Sequence, residues 1–316
     1  MQTKTALRER FEPALCPLTD MGTIEVTGTD AEAFLNAQLS RNVETGFPTR
    51  ATLAGWHDAR GRVLALAWVL WTGQCWLLLT KGTDSEGLIR RMKLFVLRDD
   101  VRLRNAAEDW DVAAVVGSTR SLTAPPFAEP GNQPGDTATD EDGTRIVRIG
   151  PRISYVLAPR GGLQAVRDGC MNGSAESAAA EEILLGLMNL VPGVAGRFTA
   201  HMLNLDRLGA VSFDKGCYPG QEIVARTQNL GAVKRRVFLF SGMLRQTPAI
   251  GTALLDTGGN SVGEVVRAAT VGESEVILLA VVRIDAAAEL LTCATDTSAP
   301  LTRETLPWDQ QPVLLD

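Results

Sequence analysis

Lys215-Gly216-Cys217-Tyr218-Pro219-Gly220-Gln221-Glu222, with Arg226 one helical turn further on, is the most informative run in the chain. Within the wider segment from Asp206 to Arg226 it reads as strand, turn and helix. Pro219 and Gly220 interrupt regular structure, and Gln221 to Asn229 can form a helix that Gly231 closes. Cys217 then lies in a tight loop just ahead of a helix start. The partial positive charge of that helix end, with Lys215 and Arg226 nearby, would favour thiolate over thiol and move the group below its free value of about 8.5. Spacing alone favours a plainer reading, in which Gly216 and Gly220 only shape a turn, Lys215 is solvated and Cys217 is a small buried apolar residue.

Downstream of Gly231, short β-prone runs at Val233 to Phe240, Thr252 to Leu255, Ser261 to Val266 and Val276 to Val282 alternate with turn-rich pieces. That texture predicts a small antiparallel barrel over 232–316, ending in a strand and tail that contain Pro300, Pro307 and Pro312. Upstream, strands and helices mix in an α+β manner over 1–231. A helix is expected from Asp30, as its cap, to Val43, and a second from Asp84 to Leu97 with Leu88, Met92, Phe95 and Val96 on its apolar side. Strands are expected at Val101 to Leu103, Asp111 to Val116, Thr144 to Ile149 and Ile153 to Leu157, and helices near Gly162 to Cys170 and Glu176 to Leu187. From Gly117 to Gly143 the Gly, Pro and Ser content predicts a long flexible loop with no packed element.

The 316 residues carry 31 Lys and Arg against 37 Asp and Glu, a net charge of −6, which argues against direct nucleic-acid binding. The 45% hydrophobic and 22% charged content is that of an ordinary globular protein, expected to be cytoplasmic and monomeric. Five scattered cysteines with no C-x-x-C pair suit a reducing compartment, and two histidines, His57 and His201, sit apart from them, so no resident metal is expected. The uncharged run Val63 to Thr80 brushes the length of a membrane span, but Thr72-Gly73-Gln74 breaks it, so it reads as two buried strands and a turn, with no membrane association.

The string from Lys215 to Glu222 with Arg226 resembles the signature of the YgfZ family, the folate-binding branch of the superfamily that includes the glycine-cleavage T-protein. The resemblance reaches back through Phe198 and Asn204-Leu205-Asp206 and forward to Gly231-Ala232-Val233-Lys234-Arg235. Near the N-terminus, Phe34-Leu35-Asn36-Ala37-Gln38-Leu39-Ser40 is similar to the family's first helix. Asp58-Ala59-Arg60-Gly61-Arg62 is similar to its Asp-x-(Lys/Arg)-Gly-(Lys/Arg) turn.

This resemblance implies ferredoxin-like α+β subdomains around a central opening that takes tetrahydrofolate or a one-carbon derivative, plus a C-terminal β-barrel. It implies a part in assembly or repair of iron-sulfur client proteins, which affects tRNA modification indirectly. Carried over residue by residue, Cys217 is the functional thiol with Lys215 as its cation. Gly216 and Gly220 set the loop, Tyr218 offers a stacking face or a phenolic donor, and Gln221, Glu222 and Arg226 position the loop or contact ligand. Asp58, Arg60 and Arg62 would line the opening, where a glutamate tail invites cations. Plainer readings stand beside these: a Glu222–Arg226 surface pair worth a few tenths of a kcal/mol, and an ordinary charged hairpin turn. Two departures are visible. Ala65-Leu66 stands where the T-protein carries its acidic pair, which tells against aminomethyl transfer. Gly186-Leu187-Met188 replaces the family's Gly-Ile-Pro turn. A folate-dependent one-carbon transferase and a non-catalytic scaffold for client proteins are the competing expectations.

Overall fold

The computed structural model describes residues 13–46, 49–117, 130–231, 233–272 and 274–309. In chain order the first elements are β1 (Ala14–Pro17), β2 (Met21–Thr27), α1 (Ala31–Gln38), β3 (Thr52–His57), β4 (Val63–Trp71), β5 (Trp76–Lys81), α2 (Ser85–Lys93) and β6 (Arg102–Asn105). The uncharged run is thus a hairpin, β4 pairing antiparallel with β5 across the turn at 72–75. No helix among the described residues is long and apolar enough to cross a membrane. Strands pair in the order β3-β4-β5-β2-β6. One face of this sheet, with Trp56, Ala65, Val69 and Leu78, is covered by Phe34 and Leu35 of α1 and by Leu88, Ile89 and Met92 of α2. The other, with Leu53, Val63, Leu66, Trp68 and Leu77, enters a central core. Burial on both faces is why β4 is apolar throughout instead of alternating.

The second set is β7 (Trp110–Val116), β8 (Thr137–Thr139), β9 (Arg145–Gly150), β10 (Ile153–Pro159), α3 (Gln164–Asp168), β11 (Met171–Asn172) and α4 (Ala175–Leu184). These strands and β1 form a sheet in the order β11-β1-β7-β10-β9-β8. After α5 (Gln221–Leu230) come β12 (Arg235–Met243), β13 (Ala253–Leu255), β14 (Ser261–Val271), β15 (Glu275–Arg283), β16 (Leu291–Cys293) and β17 (Asp296–Glu304). They close into a six-stranded antiparallel barrel, so the α+β class and the C-terminal barrel both stand as expected. Phe240, Leu254, Val265, Leu278 and Leu301 pack together as the barrel's own core. Val237, Leu239, Val266, Ile277 and Val281 on the same strands join the central core shared with both sheets.

Where the three parts meet, a buried carboxylate joins them. Glu182 of α4, with 0% of its surface exposed, accepts hydrogen bonds from Lys81 Nζ of β5 (2.7 and 2.9 Å) and from Tyr155 Oη of β10 (2.6 Å). Arg267 Nη2 of β14 also donates to it, and Arg267 Nη1 donates to Leu187 O at 2.8 Å. Burial pushes the Glu182 carboxyl up, but Arg267 and Lys81 outweigh it and hold the group below the usual carboxylate value.

Several local expectations are corrected. The first helix stops at Gln38, because Leu39 turns extended and bridges to Trp56. Asp30 does not cap it with its side chain; Oδ2 accepts from Asp100 N at 2.8 Å instead. The second helix ends at Lys93, so Phe95 lies beyond it, 45% exposed and edge-on to Trp56. In the 117–143 segment, 118–129 lies outside the described residues, yet Thr137–Thr139 forms β8 against β9, two β-branched threonines sufficing for an edge strand. The strand expected from Asp206 is a series of turns over 201–209. Asn204 takes φ +56°, its Oδ1 and the Asp206 carboxylate accept from Arg236 of β12, and its Nδ2 donates to Val237 O.

Candidate functional site

Three anchors fix the loop that opens this chain's most informative segment. The first is Lys215. Its Nζ donates to the carbonyls of Asn36 (2.9 Å), Leu39 (2.7 Å) and Arg41 (3.2 Å) at the C-terminal end of α1, a helix with no basic residue in its own last turn. A cation there satisfies orphan carbonyls and complements the negative helix end. Burial pulls the ammonium down to about 8. The protons of Lys215 are therefore committed to backbone oxygens, where the sequence suggested a cation serving Cys217.

The second anchor is a glycine-to-glycine contact. Gly220, the N-cap of α5, takes φ +79°, and a Cβ there would lie 2.5 Å from Asp58 O and 2.7 Å from Gly61 Cα. Gly61 takes φ +71° and faces Ile223 of α5. The two motifs that sequence placed far apart thus interlock through positions that only glycine fills. Gly216 differs: its φ is not positive and a Cβ would meet nothing within 4 Å, so no conformational demand is visible there.

The third anchor is Tyr218, buried and edge-on to His57 with ring centroids 5.8 Å apart. Lys215 Nζ lies 5.4 Å from the same tyrosine ring. Gln221 Nε2 closes the loop by donating to Lys215 O at 3.2 Å. Val224 packs into the central core, and Gln228 Oε1 lies 3.1 Å from His201 Nε2, which holds α5 down.

Held this way, the loop presents Cys217 at the surface, exposed, which removes the buried-cysteine reading. Glu222 and Arg226 are exposed too, and no ion pair joins them, so the surface pair does not form. In the 58–62 turn, Asp58 Oδ1 accepts from Arg60 N (2.9 Å) and Arg62 N (2.8 Å), and Arg62 Nη1 donates to Arg197 O. Asp58 and Arg62 therefore build the turn, while the Arg60 side chain is exposed and unengaged among the described residues. Ala65 and Leu66 are buried in apolar surroundings. A cleft of about 590 Å³ lies elsewhere, between the 72–75 turn and β9–β10, lined by Glu25, Cys75, Arg104, Trp110 and Arg145, and none of the expected site residues lines it.

Sequence reasoning passed over His57. It is 1% exposed, burial lowers it to about 4, and neither ring nitrogen has a hydrogen-bond partner among the described residues. Its place immediately before Asp58 in the turn motif, in a chain with two histidines, was the available signal.

No family model matches the chain. It is 23% identical over 309 residues to a protein named tRNA-modifying protein YgfZ from Colwellia psychrerythraea, spanning 96% of this chain and 95% of the relative. It is 24% identical over 304 residues to a protein of the same name from Yersinia enterocolitica, spanning 93% and 92%. Among solved structures it superposes on the glycine cleavage system aminomethyltransferase T from Bartonella henselae with a TM-score of 0.75, at 14% identity over 97% of this chain and 89% of that one. At that identity the likeness establishes the fold. Along nearly its whole length, then, the chain is a relative of proteins named tRNA-modifying protein YgfZ, built on the fold of aminomethyltransferase T.

Proposed function

We propose that this protein binds tetrahydrofolate, or a one-carbon derivative of it, and acts in the assembly or repair of iron-sulfur proteins in the cytoplasm, with Cys217 as its working thiol and an indirect effect on tRNA modification. The observation that carries this reading is an exposed sulfur on a loop tied down at Lys215, Tyr218 and Gly220. The kinship with tRNA-modifying proteins supports it, and the net charge of −6 fits an indirect role better than a grip on RNA. The residues present suit a folate. Among the described residues Tyr218 Oη is buried without a partner beside the loop, and Arg60 and Arg226 are exposed, unengaged cations suited to a glutamate tail. Gln221 and Glu222 stand at the start of α5, where they shape the loop around such a ligand. Lys215 supports Cys217 by holding the loop on α1. Client iron-sulfur proteins are the partners in this reading, met by a monomer.

The test replaces Cys217 with Ala in cells whose iron-sulfur enzymes depend on this protein. Loss of those enzyme activities, with the purified variant still folded and still binding tetrahydrofolate, is expected. Full retention of the activities removes the thiol's role. The aminomethyltransferase fold favours a second reading, folate-dependent one-carbon transfer. Turnover of methylene- or formyl-tetrahydrofolate by the purified protein would favour it, and tight binding without turnover would count against it.

A further inference from the structure

Beside Cys217, two touching side chains carry three polar atoms left unmatched among the described residues: His57 Nδ1, His57 Nε2 and Tyr218 Oη. His57 is 1% exposed and Tyr218 6%. An unmatched buried polar atom costs about 1–3 kcal/mol, and folded proteins rarely leave three together unless water or a guest supplies the partners. The charge state of the pair narrows that guest. Burial lowers His57 to about 4 and raises Tyr218 to about 12, so near neutrality the pair is an uncharged imidazole beside an intact phenol. It offers one ring N–H, one ring lone pair and one O–H. A charged group placed there would lose its hydration without a counter-charge in return. The histidine is also seated by its neighbours. A Cβ on Gly55 would lie 2.6 Å from Nε2, so the ring leans over bare backbone on β3, directly across the register from Leu66.

We infer that His57 and Tyr218 are the recognition pair for the uncharged, hydrogen-bonding edge of the ligand, an amide-like ring edge that sets a donor beside an acceptor. The inference rests on the folate reading above and deepens it: the heterocyclic end of the ligand docks on this pair next to the thiol-bearing loop, and its anionic tail points away from it.

The experiment titrates tetrahydrofolate, tetrahydropterin and p-aminobenzoylglutamate into the full-length wild-type protein and into His57→Phe and Tyr218→Phe. Tetrahydrofolate and tetrahydropterin should both bind the wild type, and each substitution should weaken them at least about fivefold. Binding of p-aminobenzoylglutamate should be the same in all three proteins. The thermal midpoint of Tyr218→Phe should stay level or rise, since a phenyl ring of the same shape removes an unmatched hydroxyl, and this separates lost recognition from lost folding. Two substitutions guard against one of them failing to fold. Equal affinity of tetrahydrofolate for wild type and both variants overturns the inference, leaves the folate reading intact and assigns the pair to trapped water. Absence of tetrahydrofolate binding to the wild type overturns the folate reading and the inference with it.

Discussion

Replacing Glu182 with Gln tests whether the three parts of the fold are joined through that one carboxylate. The substitution keeps the shape and removes the charge, leaving Lys81 and Arg267, whose side chains are 11% and 7% exposed, without their shared anion. Removing one member of a buried ion pair costs about 3–5 kcal/mol, because the remaining charge is stranded. Unfolding entropy near the midpoint is roughly 2 cal/mol/K per residue, or about 0.7 kcal/mol/K for this chain. A loss of about 4 kcal/mol therefore lowers the midpoint by about 6 °C. Differential scanning calorimetry at pH 7 reads this directly. The sign of the pH dependence follows from a carboxyl held below its ordinary value. Its stabilisation is complete above the unfolded-state value and is lost as pH falls through the lower folded-state value, so the gap between wild type and Glu182→Gln should close in acid. A midpoint change under about 2 °C at pH 7, or a gap that widens in acid, would refute the joint described for Lys81, Tyr155, Glu182 and Arg267.

Two further outcomes are expected. Gly220→Ala should destabilise by about 2 kcal/mol or more, from its left-handed φ and the contact with Asp58 O and Gly61, whereas Gly216→Ala should stay within about 0.5 kcal/mol of wild type; paired urea melts compare them. Burial lowers His57 from 6.5 to about 4, so the folded state resists its protonation: the cost is absent above pH 6.5 and grows to roughly 3 kcal/mol as pH falls to about 4. Wild type should therefore lose stability between those limits relative to His57→Phe, and parallel pH profiles for the two would contradict the burial assigned to His57.

The sequence disclosed elements whose cause is local. Thr72-Gly73-Gln74 turns the β4–β5 hairpin, Gly220 and Gly231 bound α5, and the alternating runs after Gly231 close a barrel. It also picked the loop that bears the exposed thiol. What stayed hidden depends on groups without a sequence signature. The acceptors of Lys215 are backbone carbonyls, 176 residues away in the case of Leu39, and any residue types could have supplied them. The packing of His57 against Tyr218 is a contact between distant parts of the chain. Strand β8 lay concealed in a Gly- and Pro-rich stretch because pairing with β9, more than its own composition, makes it a strand.

The tether between Lys215 and the end of α1 also bears on how the protein is made. The sheet containing β2 to β6 is drawn from residues 21–105 alone, so its strands can pair while the rest is still being translated. At ordinary elongation rates, on the order of ten seconds separate the completion of that sheet from the emergence of Cys217. The receiving surface is thus prepared before the sulfur arrives. A nascent chain stalled short of Lys215 would hold a finished dock with nothing to moor, and one released before docking would carry its thiol on an untethered strand of polypeptide, open to adventitious oxidants.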